Sequence, residues 1–84
     1  MSVESVVRRI LQTDRVDFHP KDFASYEEFE WAIDYLESLE AQGRIEILDR
    51  IRESQSGQKT RTGLGKWAVV VVRITDDGRK WLSI

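Results

Sequence analysis

The only histidine, His19, follows Asp17 by two residues and precedes Asp22 by three, so the three side chains could form an acid-base group or a metal site. A metal site would need all three held together around one ion. His19 instead stands beside Pro20, whose fixed backbone angle is typical of a turn or a first helical position. We therefore predict that His19 is a turn residue with no catalytic or metal-binding role.

Two pairs of adjacent carboxylates, Glu27/Glu28 and Asp76/Asp77, could imitate the acids of a hydrolase. Each pair falls in the first turn of a predicted helix, where the positive end of the helix dipole favours acidic residues. We assign neither pair to catalysis.

The segment Gly63-Leu64-Gly65-Lys66 resembles part of a phosphate-binding loop, but Thr60 stands where the first glycine belongs and Trp67 where a serine or threonine belongs. No serine or threonine lies in a nucleophile motif, and there is no cysteine. The sequence therefore predicts no enzyme, no metal, no cofactor and no small-molecule substrate.

The composition is that of one small domain over residues 1–84. Of these residues, 40% are hydrophobic and 33% charged. The lack of cysteine predicts a cytoplasmic protein, and the longest apolar run, residues 67–72, is too short to cross a membrane. We predict no membrane association.

The first half of the chain predicts three helices, with a short strand between the first and the second. Apolar residues at helical spacing indicate a helix over residues 2–12, and residues 16–18 alternate like an edge strand, followed by a brief helix over 20–24. Ser25 and Glu28 form a capping box that begins a long helix over residues 25–42, which Gly43 ends. Its core stripe comprises Phe29, Ala32, Ile33, Leu36 and Leu39.

Trp31 falls almost opposite that stripe, together with Glu27, Asp34 and Ser38. The outer face of the long helix should therefore be acidic and carry one tryptophan.

The second half predicts a hairpin and a last short helix. Residues 44–53 fit a strand with a bulge, residues 54–66 a mobile basic loop, and residues 67–74 a strand that is apolar on both faces. Thr75 should cap a helix that ends near Leu82. A strand that is apolar on both faces must be central in its sheet or covered twice.

Charge is distributed unevenly along the chain. Residues 1–53 hold thirteen acidic and seven basic residues, whereas residues 54–84 hold two acidic and six basic ones. A phosphate backbone would be repelled by the first part and attracted by the second.

The order of elements resembles that of the winged helix-turn-helix family. Leu36-x-x-Leu39-x-x-x-Gly43-x-Ile45 resembles the end of the family's third helix, and Ile74-Thr75-x-x-Gly78-x-x-x-Leu82 resembles the exit from its wing hairpin. The resemblance implies an α+β winged helix: a three-helix core, a small antiparallel β-sheet and a short C-terminal helix, with residues 54–66 as the wing.

The resemblance also implies DNA binding and a role in transcription regulation, but the long helix departs from the family pattern. A helix that reads the major groove needs basic or amide side chains, whereas this one presents Glu27, Glu30, Asp34 and Glu37. Our first hypothesis is therefore that duplex DNA contacts the basic wing, through Lys59, Arg61, Lys66, Arg50 and Arg52.

Two other hypotheses use different residues. In one, the acidic helix docks a protein partner through Trp31, Glu27 and Asp34. In the other, Trp67, Val69 and Val71 form an apolar face that pairs two copies in a homodimer, either with DNA binding or as a purely structural dimerisation domain. The alternative for these three side chains is that the first or the last helix covers them, which would leave no face for a dimer.

Overall fold

The computed structural model describes residues 2–53, the backbone of residues 59–60, and residues 66–83. These residues form an α+β fold, as predicted, with a short 3-10 turn at Pro20–Asp22. The helices are α1 (Val3–Gln12), α2 (Tyr26–Ala41) and α3 (Asp76–Leu82), and the strands are β1 (Asp17–Phe18), β2 (Ile45–Glu53), β3 (Lys59–Thr60) and β4 (Lys66–Ile74).

Each helix begins at a hydroxyl residue that caps it. The side chains of Ser2, Ser25 and Thr75 accept hydrogen bonds from the backbone N–H three residues further along the chain. After α2, Gly43 has a φ of 77°, a left-handed conformation that glycine adopts without steric cost. The predicted helix starts and the predicted end of α2 are confirmed.

The strands form one antiparallel sheet in the order β1-β4-β2-β3. The apolar strand β4 thus lies between β1 and β2, and the short edge strand β1 is confirmed as well. Two register shifts interrupt the β2–β4 ladder: Leu48 is an extra residue in β2, and Ala68 is an extra residue in β4.

The core lies between one face of this sheet and the helices. Val7 and Leu11 of α1 and Phe18 of β1 are fully buried against Val70 and Val72 of β4. All five residues of the predicted α2 stripe are buried too. Burial of this apolar surface is the main favourable term in the stability of so small a domain.

The structure corrects three predictions about the elements. The brief helix predicted for residues 20–24 is a 3-10 turn of three residues. Residues 59–60 and Lys66, predicted to belong to a loop, lie in strands β3 and β4. The rest of the predicted wing loop, residues 54–58 and 61–65, lies outside the described residues.

The third correction concerns Trp67. Strict alternation would place Trp67 on the same face of the sheet as Val69 and Val71. Because Ala68 is an extra residue between Trp67 and Val69, Trp67 and Val69 face opposite sides of the sheet. Trp67 therefore packs against the core side of the sheet. The predicted dimer face loses its largest side chain.

Among the helices in the described ranges, none has the length and apolar character that crossing a membrane requires.

Candidate functional site

His19 belongs to a polar cluster that holds the turn between β1 and α2. Its Nε2 donates to Asp17 Oδ2 at 2.7 Å, and its backbone N–H donates to Asp22 Oδ2 at 2.9 Å. Arg15 donates to both carboxylate oxygens of Asp22, at 3.1 and 2.9 Å, and to the carbonyl oxygen of Asp17. The cluster thus fixes the turn through contacts among its own members.

These contacts also favour the charged form of both carboxyl groups. The hydrogen bond from His19 is the main cause that lowers the pKa of Asp17, and the hydrogen bonds from Arg15 lower the pKa of Asp22. No group of three or more potential metal ligands occurs in the part of the chain that the structure describes.

The end of β2 carries two of the predicted DNA contacts, and both face the helices. Arg50 Nη1 lies 2.9 Å from Glu37 Oε1 of α2, so the two side chains form an ion pair. The guanidinium of Arg52 lies over the Trp67 ring, 3.9 Å from its centroid, in a cation-π contact. Both arginines are therefore engaged within the protein.

Lys66 and Trp67, at the start of β4, contact the start of α2. The ammonium of Lys66 lies 5.3 Å from the centroid of the Tyr26 ring, and the Trp67 backbone N–H donates to the Tyr26 hydroxyl at 2.6 Å. Lys66 remains exposed. The side chain of Lys59 and all of Arg61 lie outside the described residues, so the predicted cationic cluster is described only at its base.

The outer face of α2 is arranged as predicted. Trp31 is 52% exposed, and Glu27 and Asp34 are exposed on the same face. The structure adds α1 to this surface. An open cleft of about 430 Å³, which we call the Ile10 cleft, lies between α1 and the start of α2. Its lining comprises Val3, Val6, Arg9, Ile10, Asp22, Phe23, Ala24 and Glu28.

A second cleft, which we call the Trp31 cleft, has a volume of about 450 Å³ and is lined by Ser2, Val3, Glu4, Glu28, Trp31 and Tyr35. Val3 and Glu28 line both clefts. The two clefts therefore form one surface along α1 and α2, with an acidic residue where they meet.

Tyr35, which lines the Trp31 cleft, has a hydroxyl group with a raised pKa. Partial burial is the main cause that raises the pKa of its hydroxyl, and the charge of Glu4 raises it further, whereas Arg44 and Arg8 act in the opposite direction. The Glu4 carboxylate thus acts on Tyr35 from the side of α1.

The sheet face turned away from the helices is less apolar than predicted. Val69 and Val71 are half-buried there, and Ile51 pairs with Val69. Val71 pairs on its two sides with Asp17 and Asp49, so an acidic residue lies on either side of it. On this face, carboxylates therefore flank Val71 beside the aliphatic side chains of Val69 and Ile51.

Sequence reasoning missed the residues that complete the clefts and one further cluster. Trp31 and Tyr35 are one helical turn apart, and Glu28 is one turn before Trp31, a spacing that could have indicated a shared surface. Val3 and Glu4 line the Trp31 cleft only because of the way α1 packs beside α2, which local spacing does not indicate. In the second cluster, the guanidinium groups of Arg8 and Arg44 lie 5.1 and 4.9 Å from the Trp81 ring centroid, although the three residues are far apart in the sequence.

Comparisons of the chain with protein-family models, with curated proteins and with solved structures give no match. The resemblance to the winged-helix family therefore stays a prediction.

Proposed function

We propose that this chain is a non-enzymatic protein-interaction module that binds a basic and partly apolar segment of a partner along α1 and α2. The observation that carries the proposal is the continuity of the Ile10 cleft and the Trp31 cleft, which share Val3 and Glu28. A half-exposed tryptophan beside such a surface is a common anchor of protein interfaces.

The charge of the surface argues for a basic partner. Among the described residues that line the two clefts, Glu4, Asp22 and Glu28 are acidic and Arg9 is basic. Asp22 is engaged by Arg15, whereas Glu4 and Glu28 line the same cleft as Trp31. Glu27 and Asp34 lie exposed on the same helix. Complementary charge of this kind steers association and suppresses wrong partners.

The absence of catalytic activity is part of the same proposal. His19 and its neighbours bond to one another around a turn, which accounts for their positions without a substrate. Glu27 and Glu28 lie in the first turn of α2, and Asp76 and Asp77 lie in the first turn of α3, where the helix dipole favours acidic residues.

An array of synthetic peptides with varied lysine, arginine, leucine and aromatic content tests the proposal. We expect the protein to retain peptides that combine basic and apolar residues, and Trp31→Ala to lose them. Leu48→Ala is the matched control, because Leu48 is 57% exposed on β2 and lines neither cleft. Retention of no peptide class, or equal loss in both variants, would refute the proposed function.

A second candidate function, DNA binding through the wing, is favoured by the topology. The helices and the β1-β4-β2 sheet are compatible with a winged-helix arrangement in which the 3-10 turn takes the place of the second helix. The β2–β4 ladder extends to the pair Glu53 and Lys66, and Lys66 is exposed there.

Titration with labelled duplex DNA at low and at physiological salt tests this candidate. We expect weak binding that falls as salt rises, and that is lost when Lys59, Arg61 and Lys66 are all changed to glutamate. Binding that is absent at low salt, or that survives the triple substitution, would exclude the wing as a DNA-binding element.

A further inference from the structure

The Trp31 cleft combines aromatic rings with carboxylates from two helices. Trp31 and Tyr35 are one turn apart on α2, and Glu28 is one turn before Trp31. The start of α1 lines the cleft with Val3 and Glu4.

These groups suit a cation on an apolar stem. The faces of tryptophan and tyrosine rings attract an ammonium group through their negative quadrupole, and carboxylates add direct charge attraction. Val3 offers an apolar contact for methylene groups. The charge of Glu4 raises the pKa of the Tyr35 hydroxyl. Negative charge from α1 therefore acts on an aromatic residue of α2.

The placement of the two carboxylates distinguishes between the basic side chains. A guanidinium is a planar fork that matches one carboxylate with two parallel hydrogen bonds, whereas an ammonium directs three donors in different directions. Glu4 lines the cleft from α1 and Glu28 lines it from α2, so the carboxylates stand on two different elements rather than as one partner for a planar fork.

We propose that the Trp31 cleft binds the alkylammonium group of a partner's lysine side chain, between the rings of Trp31 and Tyr35 and the carboxylates of Glu4 and Glu28. This inference rests on the proposed function and names the chemistry that the surface recognises. A lysine and a trimethylated lysine both carry a positive charge on an apolar stem, but only the unmodified ammonium has N–H donors, and the experiment separates them.

The test is an NMR titration that follows the three tryptophan indole N–H signals. The probes are Nα-acetyl-lysine methylamide, its trimethyl-lysine and arginine counterparts, and the uncharged norleucine counterpart with the same stem. We expect the lysine probe to shift the Trp31 signal with a dissociation constant in the millimolar range, to leave Trp67 and Trp81 unmoved, and to exceed norleucine in affinity by roughly tenfold.

Single substitutions define the site. Glu28→Gln and Glu4→Gln should each weaken lysine binding by roughly fivefold, and Trp31→Leu should abolish it, whereas Trp31→Phe should retain part of it. Glu46→Gln is the control, since Glu46 pairs with Arg73 on the sheet and lines neither cleft. Tighter binding of the trimethyl-lysine probe would identify a methylated residue as the ligand, and weaker binding would identify an unmodified one.

Equal shifts by lysine and norleucine, equal binding of arginine, or insensitivity to Glu28→Gln would each overturn the inference. The two proposals fail separately. If the array retains basic peptides in a Trp31-dependent way but the lysine probe does not bind, only the alkylammonium site is wrong. If the probe binds but no peptide class is retained, only the interaction function is wrong.

Discussion

Arg50 of β2 forms an ion pair with Glu37 of α2, with 2.9 Å between Nη1 and Oε1. Close by, the backbone N–H of Ile47 donates to Glu40 Oε2 at 2.8 Å. Two carboxylates of the acidic helix are therefore used to hold the hairpin. The acidic surface that faces outward is the other part of α2, around Trp31.

The strength of this ion pair can be measured with a double-mutant cycle. Both side chains are more than one third exposed, so we expect a coupling energy of only about 0.5 kcal/mol between Arg50→Gln and Glu37→Gln. Urea denaturation of the four proteins at low and high salt measures it, and the coupling should shrink as salt rises. Additive effects of the two substitutions would show that the pair contributes nothing to stability.

Gly78, in the first turn of α3, allows close contact with the chain after α2. A Cβ at this position would overlap the carbonyl oxygen of Arg44 and lie 3.1 Å from Ile74 Cγ2. Since the backbone cannot yield as a flexible side chain can, we expect Gly78→Ala to lower the free energy of unfolding by about 2 to 3 kcal/mol. Thermal and urea unfolding measure this loss.

Gly43→Ala is the control for Gly78→Ala. Its Cβ would meet no atom within 4 Å, so the cost arises from the positive φ alone, and we expect about 1 kcal/mol. If Gly43→Ala lowers the free energy of unfolding more than Gly78→Ala does, the close approach of α3 to Arg44 is not what requires glycine at position 78.

Acid should weaken the turn that contains His19. The pKa of Asp22 is lowered by its hydrogen bonds with Arg15, and that of Asp17 by its hydrogen bond with His19. A carboxyl group whose pKa is lower in the folded than in the unfolded chain stabilises the fold at any pH above its unfolded pKa. This stabilisation is lost as the pH falls through its pKa in the folded chain. The loss should therefore occur below about pH 4.

Asp22→Asn tests this pH dependence. At pH 7 we expect a loss of about 1 kcal/mol, because the Asp22 side chain is only 13% exposed whereas that of Arg15 is 41% exposed. The difference in stability between wild type and variant should narrow below about pH 4, where the wild-type carboxylate also takes up a proton. A difference that stays constant down to pH 2 would contradict a role for this charge.

The hydroxyl of Tyr26 should stabilise the start of β4. Tyr26→Phe removes the acceptor of the Trp67 N–H and leaves that partly buried donor without its partner, so we expect a loss of about 1 kcal/mol. Hydrogen exchange of the Trp67 amide should accelerate more than that of Val70 in the middle of the strand. Unchanged exchange at Trp67 would show that this hydrogen bond is not maintained in solution.

Local sequence patterns predicted most of the described architecture. The stripes of α1 and α2 and the capping residues Ser25 and Thr75 depend on neighbours within a few residues, and each was predicted from the sequence. Trp31 was placed on the outer face of α2 for the same reason, and its 52% exposure confirms that placement.

Features that depend on distant contacts could not be predicted in this way. The ion pair of Arg50 with Glu37 requires the inner face of β2 to lie beside α2, and the Trp31 cleft requires the packing angle of α1. The face of Trp67 was predicted wrongly because the alternation rule assumes a regular strand, and no residue type marks Ala68 as an extra residue.

The two irregularities in the hairpin compensate each other. Strands β2 and β4 both contain nine residues, and their ends pair as Ile45 with Ile74 and Glu53 with Lys66. Only the middle of the ladder is offset, because Leu48 lengthens one strand and Ala68 lengthens the other. Each extra residue lies unpaired between two regular stretches of the ladder, so removing either one would join those stretches and leave the facing of the remaining side chains unchanged.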